Sequence, residues 1–338
     1  MERHLNVTPK KSAWMQALMD SHVLSSKPDE KGYLSNYLDG IYPEGRKAMM
    51  PDGKFYQMFK AGNGSELEPS TMAGQTIPPK ACAVHSSSML AYNFFHWISP
   101  EHPLHFSDGN TYDKVYFEVK MPVLKTRPNA PANMDVVLIS EDCHNILCLE
   151  SKMTEYTKAG DAMFAEAYTK SENYYNNHFS NDFIKYIKSF SNVEHAYNEG
   201  IAQMVKHLIA ITNLQQSNYA MADMLAINTF IEPDVAEKMQ KAPLNIKYSN
   251  ILFYLPPEPG TIQISETNKY IKLLSAFRAT AFDNEALWQY IILPNYAYTY
   301  NDMMAIMRSQ MPNGLADYLE SRYMDMQDWG KNYSIYRL

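Results

Sequence analysis

Two dense apolar runs, 134–140 and 146–151, are separated by a five-residue polar insert at 141–145. Each run reads as a buried strand, and the insert has the length of a hairpin connection. Upstream, 114–120 alternates apolar and polar positions, which predicts a strand with one wet face. Pro122, Pro128 and Pro131 mark the loop that follows it. Before that strand, Val84, Met89, Leu90, Phe94 and Trp97 have the spacing of a helix buried on one side, predicted over 80–97 and ended by Pro100 and Pro103. Beyond the hairpin, Ile201, Met204, Val205, Leu208, Ile209, Ile211 and Leu214 recur at helical intervals and predict an amphipathic helix over 199–216. The short apolar run 249–255, stopped by Pro256 and Pro257, predicts a strand.

Elsewhere the pattern is weaker. Residues 12–22 fit a short helix, and 27–76, rich in Gly, Pro, Tyr and Asp, reads as irregular. Helices are expected around 160–170 and 181–190, and 267–338 reads as mainly helical. The order is helix, three strands, helix, strand. A strand–helix–strand passage favours a right-handed crossover and a parallel strand pair. Nearly continuous apolar strands call for helices on both faces of their sheet. The expected fold is therefore α/β, with a mixed central sheet flanked by helices. Three regions are expected: an irregular N-terminal extension (1–78), a core (79–260), and a mainly helical C-terminal region (261–338) packed on that core.

Composition changes little in this picture. The chain has 338 residues, 46% hydrophobic and 20% charged, as in an ordinary globular protein. No run approaches the roughly 18–20 apolar residues that span a membrane. The first residues lack the basic-then-apolar layout of a secretory signal, and three cysteines are too few for a disulfide framework. A cytoplasmic protein without a membrane partner is the expectation. A formal charge of −7 counts against nonspecific coating of nucleic acid, yet leaves room for a local basic groove.

The candidate chemistry sits on the two apolar runs. Asp135 lies in the first and Glu150 in the second, with Lys152 directly after it. Side chains alternate along a strand, so Glu150 and Lys152 share a side and Ser151 points away. Burying such charges unpaired costs roughly several kcal/mol, so something must compensate them. A salt bridge at a strand end is the plain reading. The functional reading is a cation site. Mg²⁺ takes one or two carboxylates and keeps waters and phosphate oxygens for the rest. Asp135 and Glu150 supply that minimum, and the Ser151 backbone carbonyl could add an oxygen. A metal there would polarise a phosphodiester and acidify a bound water. Lys152, a compact point charge, would orient that water or offset transition-state charge.

At this point Asp135 … Glu150-Ser151-Lys152 resembles the signature of the PD-(D/E)XK nuclease superfamily, whose fold is restriction-endonuclease-like. The element order over roughly 80–256 is similar to that superfamily's core. Residues 83–88 through Phe95 resemble the Ser-rich first helix of a bacterial restriction-endonuclease-like subgroup, and 200–207 resembles its crossover helix. The resemblance implies a metal-dependent phosphodiesterase acting as an endonuclease, with Mg²⁺ as cofactor and Mn²⁺ as substitute. It implies Asp135 and Glu150 as metal ligands, Lys152 as the catalytic lysine and Gln203 as a residue facing the site, with Lys206 and His207 as weaker candidates. The implied partner is nucleic acid, DNA before RNA, in restriction or repair, and a homodimer is one compatible assembly. The alternative is a catalytically inactive nuclease-fold protein that binds nucleic acid or serves as an assembly subunit. Three departures stand out. Met134 replaces the motif's Pro, His207 stands where some members have Tyr, and the first helix offers no clear acid.

Other constellations compete. Cys143, His144 and Cys148, with His102 and His105, match no standard zinc spacing, and buried cysteines usually act as small hydrophobes. His85 beside Ser86, Ser87 and Ser88 lacks the glycine-flanked elbow of a serine hydrolase. The tyrosines Tyr174, Tyr175, Tyr296, Tyr298 and Tyr300 could stack on bases, though packing is their commoner role. Lys120, Lys125 and Arg127 could touch phosphates or simply be solvated.

Overall fold

A computed structural model of the chain describes residues 13–62, 66–72, 74–127, 130–153, 164–175, 198–241, 243–253 and 292–324. The predicted strands form as β5 (Lys114–Met121), β6 (Ala132–Ile139), β7 (Asn145–Lys152) and β8 (Asn245–Leu252), the first three within two residues of their expected bounds and β8 starting four residues earlier than the expected 249. They are preceded by two small hairpins, β1 (Ser70–Met72) with β2 (Gln75–Ile77), and β3 (Leu104–His105) with β4 (Thr111–Tyr112). A ninth strand, β9 (Ile292–Thr299), completes a five-stranded mixed sheet of order β5-β6-β7-β8-β9. The first three strands run antiparallel, and β8 and β9 are parallel to β7 and to each other.

The helices are α1 (Ala13–Met19), α2 (Lys54–Ala61), α3 (Ser87–Phe95), α4 (Asn198–Gln216), α5 (Asn218–Ile227), α6 (Pro233–Lys241), α7 (Tyr300–Met307) and α8 (Leu315–Leu319). Helix α4, expected from its periodicity, joins β7 to β8 as the crossover. Helix α3 packs on β6 and β7, and α4 packs on β5, β6 and β8. Alternation along β7 assigns their sides: Ser151 reaches the start of α3, while Glu150 and Lys152 reach α4. The sheet is thus covered on both faces, as its apolar strands require.

Several expectations are corrected. The helix over 80–97 is shorter: Lys80–Cys82 is a 3-10 turn, and α3 starts only where the Ser86 hydroxyl accepts a bond from Met89 N–H. The wet face of β5 does not exist. Six of its eight residues are buried, because α2 packs along this edge strand: Phe59 stacks on Phe117, and the other contacts of Phe55 and Phe59 with Phe117 and Tyr92 are edge to face. That helix lies inside the stretch read as irregular. The rest of the edge is blunted by Asn228, whose amide makes two bonds to the Lys120 backbone as a neighbouring strand would. Residues 292–299, expected helical, form β9, since pairing with β8 outweighs a local pattern that is only weakly periodic. In 160–170, the described part holds a 3-10 turn, Glu166–Thr169, in place of a helix. The expected helix at 181–190 and the end of the strand at 254–255 lie outside the described residues. One continuous apolar core runs from Leu18 to Tyr323. Among the described residues, no helix is long and apolar enough to cross a membrane.

Candidate functional site

The register of the sheet builds the site. Val136 stands opposite Leu149 in the β6–β7 ladder, so one step further along Asp135 stands opposite Glu150. In the parallel ladder Glu150 aligns with Asn250. On the other side, the pairs Phe117–Val136 and Val119–Met134 bracket Glu118, which therefore stands opposite Asp135. Four adjacent strands thus set Glu118, Asp135, Glu150 and Asn250 in one row.

Asp135 is half-buried, and its Oδ2 accepts the Ser151 backbone N–H at 2.7 Å. The Ser151 hydroxyl belongs to the opposite face, where it meets the Ser87 carbonyl at 2.9 Å and the Tyr300 hydroxyl at 2.7 Å. Glu150 is 2% exposed and Lys152 8% exposed, so their contact is a buried ion pair. Lys152 Nζ donates to Glu150 Oε1 at 2.6 Å and to Gln203 Oε1 at 2.7 Å, and Gln203 Nε2 donates to the same Glu150 oxygen at 2.7 Å. Gln203 arrives from the first turns of α4, one turn before His207.

His207 sets the state of the other Glu150 oxygen. Its Nε2 lies 2.9 Å from the Asn133 carbonyl, which can only accept, so Nε2 carries the proton. Burial pushes the His207 pKa down despite the neighbouring Glu150 carboxylate, which keeps the ring neutral. Nδ1 then presents a lone pair 3.7 Å from Glu150 Oε2 and 3.4 Å from the Tyr248 hydroxyl. The Tyr248 proton is given to Asn250 Oδ1 at 3.0 Å. Glu150 Oε2 is consequently buried with no hydrogen-bond partner among the described residues.

The charge balance is negative. Glu118 is buried, and desolvation, then Glu66 and Glu150, push its pKa up to about 8. Asp135 is pushed well above the usual carboxylate range by desolvation and by Glu150, against the pull of Lys152 and of the Ser151 N–H. Glu66 is held by the Ser88 hydroxyl at 2.7 Å and by the exposed Lys80 at 3.3 Å. Carboxylates outnumber the ammonium groups near them, and the remaining charge must be met by protons or by a cation. As the side chains stand, no group of three His, Cys, Asp or Glu among the described residues is placed to hold a metal ion.

Asp135, Glu150, Lys152 and Gln203, expected to meet, are brought together on one side of the sheet. His207 joins them through Glu150. Lys206 turns elsewhere, its Nζ 5.6 Å from the centre of the Tyr168 ring. Sequence reasoning missed Glu118, Glu66 and Asn133. Glu118 was assigned to a wet face, and the usable signal was its position as the one acid inside the run 114–121. Glu66 had no local signal, since only packing brings it to the start of α3. Of the competing sets, Cys143 and Cys148 are fully buried, Ser86 and Ser88 serve α3 and Glu66, and Tyr174, Tyr298 and Tyr300 are packed inside. Comparisons with models of protein families, with curated proteins and with solved structures return no match to this chain.

Proposed function

We propose that this protein is a Mg²⁺-dependent nuclease, with Mn²⁺ as a substitute, hydrolysing phosphodiester bonds in DNA. The observation that carries this reading is that Asp135, one step past the last β6–β7 pair, falls opposite Glu150, with Lys152 and Gln203 closing on the same Glu150 carboxylate. The order α3, three antiparallel strands, crossover α4 and a parallel strand supports the resemblance to the restriction-endonuclease-like fold.

The residues present fit a hard divalent cation. Their donors are oxygens, Glu150 Oε2 lacks a hydrogen-bond partner among the described residues, and Glu118 and Asp135 are carboxyls crowded enough to hold protons that a cation would displace. Asp135 and Glu150 would hold the ion, with the Ser151 carbonyl as a further oxygen. When bound, the ion would polarise the phosphodiester and acidify its water. The chain's own residues do the rest. The Ser151 N–H fixes the rotamer of Asp135. Gln203 holds both Lys152 and Glu150, so the ammonium group stays beside the acid pair, where it can stabilise charge gathering on the phosphate. The neutral His207 keeps a lone pair, not a competing proton, towards Glu150 Oε2.

The test is incubation of purified protein with defined single- and double-stranded DNA and RNA in Mg²⁺ or Mn²⁺, beside Glu150→Ala and Lys152→Ala. Cleavage by the wild type that falls at least about 10²-fold in both variants supports the reading. Equal cleavage by wild type and variants refutes the site. A second reading, an inactive nuclease-fold protein that binds nucleic acid or assembles with a partner, draws on the closed Lys152–Glu150–Gln203 network. Binding of DNA without cleavage under any divalent ion would favour it.

A further inference from the structure

Glu118 has no part in the motif, yet three observations tie it to the acid pair. It stands opposite Asp135 in the register, and Asn133, two residues before Asp135 on β6, donates to its Oε2 at 3.3 Å. Its backbone is left-handed, with φ of 53°, a conformation that residues bearing side chains avoid unless the surroundings impose it. Space for the turned side chain comes from Gly62 at the end of α2. A Cβ there would lie 3.0 Å from Glu118 Oε2 and 3.2 Å from Glu118 Cβ. Among the described residues no Lys, Arg or His lies within ion-pairing distance of this buried carboxylate. The independent observation is Glu150 Oε2, on a side chain 2% exposed, which lies in the same row without a hydrogen-bond partner among the described residues.

We infer that Glu118 is an outer carboxylate of the divalent-cation site of Asp135 and Glu150, setting the site's affinity through water held by the ion. The inference rests on the nuclease reading for the ion itself and adds a residue to it. Mg²⁺ and Mn²⁺ retain several waters, so a carboxylate one water away binds the hydrated ion without entering its inner shell. Glu118 is thus a positioning residue, and cation affinity is the quantity it controls.

Calorimetric titration with MnCl₂ near neutral pH, without nucleic acid, tests it on wild type, Glu118→Gln, Gly62→Ala and Asp135→Asn. Glu118→Gln keeps size and the Asn133 contact but removes the carboxyl that can ionise towards the hydrated ion, and its Kd is expected to rise about 10-fold or more. Gly62→Ala keeps that carboxyl but displaces it, and a smaller rise is expected. Asp135→Asn is expected to abolish binding. Binding by the wild type with an unchanged Kd in folded Glu118→Gln overturns this inference and leaves the nuclease reading standing. If Glu118→Gln does not fold, an unchanged Kd in Gly62→Ala overturns it. A wild type that binds no Mn²⁺ overturns both.

Discussion

Two sets of buried polar side chains in this protein obey different rules. Asn93 and Asn228 are almost wholly enclosed, and each has its amide fully used. Asn93 accepts the Tyr42 N–H at 3.0 Å and donates to the Gly40 carbonyl at 3.0 Å and to the Tyr323 hydroxyl at 2.9 Å. Asn228 accepts the Lys120 N–H at 2.9 Å and donates to the Lys120 and Met224 carbonyls, each at 2.7 Å. Both clip a loop to a regular element with no charge involved. The row across β5, β6 and β7 is the reverse. Glu150 Oε2 in the row and Asn133 Oδ1 beside it lack hydrogen-bond partners among the described residues, and two of the row's acids carry strongly raised pKa values. Most buried polar groups that serve the fold are satisfied, because an orphan costs about 1–3 kcal/mol; Arg322 Nε, on a side chain clipped to the Leu18 and Val84 carbonyls, is an exception among the described residues. A group left unsatisfied beside others of like charge marks a place where the fold leaves room for something else.

The contrast can be broken most forcefully at Lys152. Lys152→Met leaves the buried Glu150 carboxylate without its counter-charge, and a loss of about 3–5 kcal/mol in the metal-free protein is expected from urea unfolding. Added Mn²⁺ should restore part of that loss. A cost no larger than that of an exposed lysine would show that the pair is not buried in solution.

Asn93→Ala is next, with a loss of about 2 kcal/mol as the Tyr42 N–H and Gly40 carbonyl lose their partner. Here the loss should be indifferent to divalent ions, because no charge is involved. A rescue by Mn²⁺ would erase the distinction between the two sets.

Divalent ions should stabilise the wild type by about 1.4 kcal/mol when present at about ten times Kd. Thermal melts in Mg²⁺ and in chelator measure this, and Asp135→Asn should show no difference between the two.

The finest discrimination comes from pH. Glu118 has a folded pKa of about 8 against an ordinary 4.5. The folded state therefore holds its proton more tightly, so this contribution to stability is complete below about pH 4.5 and is lost as pH rises through about 8. Melting temperature in chelator should fall over that window. The fall should be shallower in Glu118→Gln and unaltered in Asn228→Ala. A flat wild-type profile would show that the carboxyl is not held protonated.

The strands of the hairpin, the crossover helix and the parallel strand were legible because each carries its own periodicity. Ile201 through Leu214 mark α4 without reference to any neighbour, and the runs around Asp135 and Glu150 are too apolar to be exposed. The side shared by Glu150 and Lys152 follows from the two-residue period of a strand alone. Helix α2 and strand β9 were not legible. Phe55 and Phe59 are apolar for the sake of Phe117 and Tyr92, and β9 exists because β8 offers it an edge. Gln203 was reached by resemblance, and only its contacts with Lys152 and Glu150 assign it a physical role.

What the sequence by itself determined is local: the periods of its elements, the motif acids and lysine, and the crossover between strands. Tertiary structure alone decided which residues stand in one row across the sheet. Register is a property of two strands at once, so it brought Glu118 opposite Asp135 and left Glu150 Oε2 without a donor among the described residues. It also decided the charge balance, because a carboxylate's cost depends on what is packed around it and not on its neighbours in the chain.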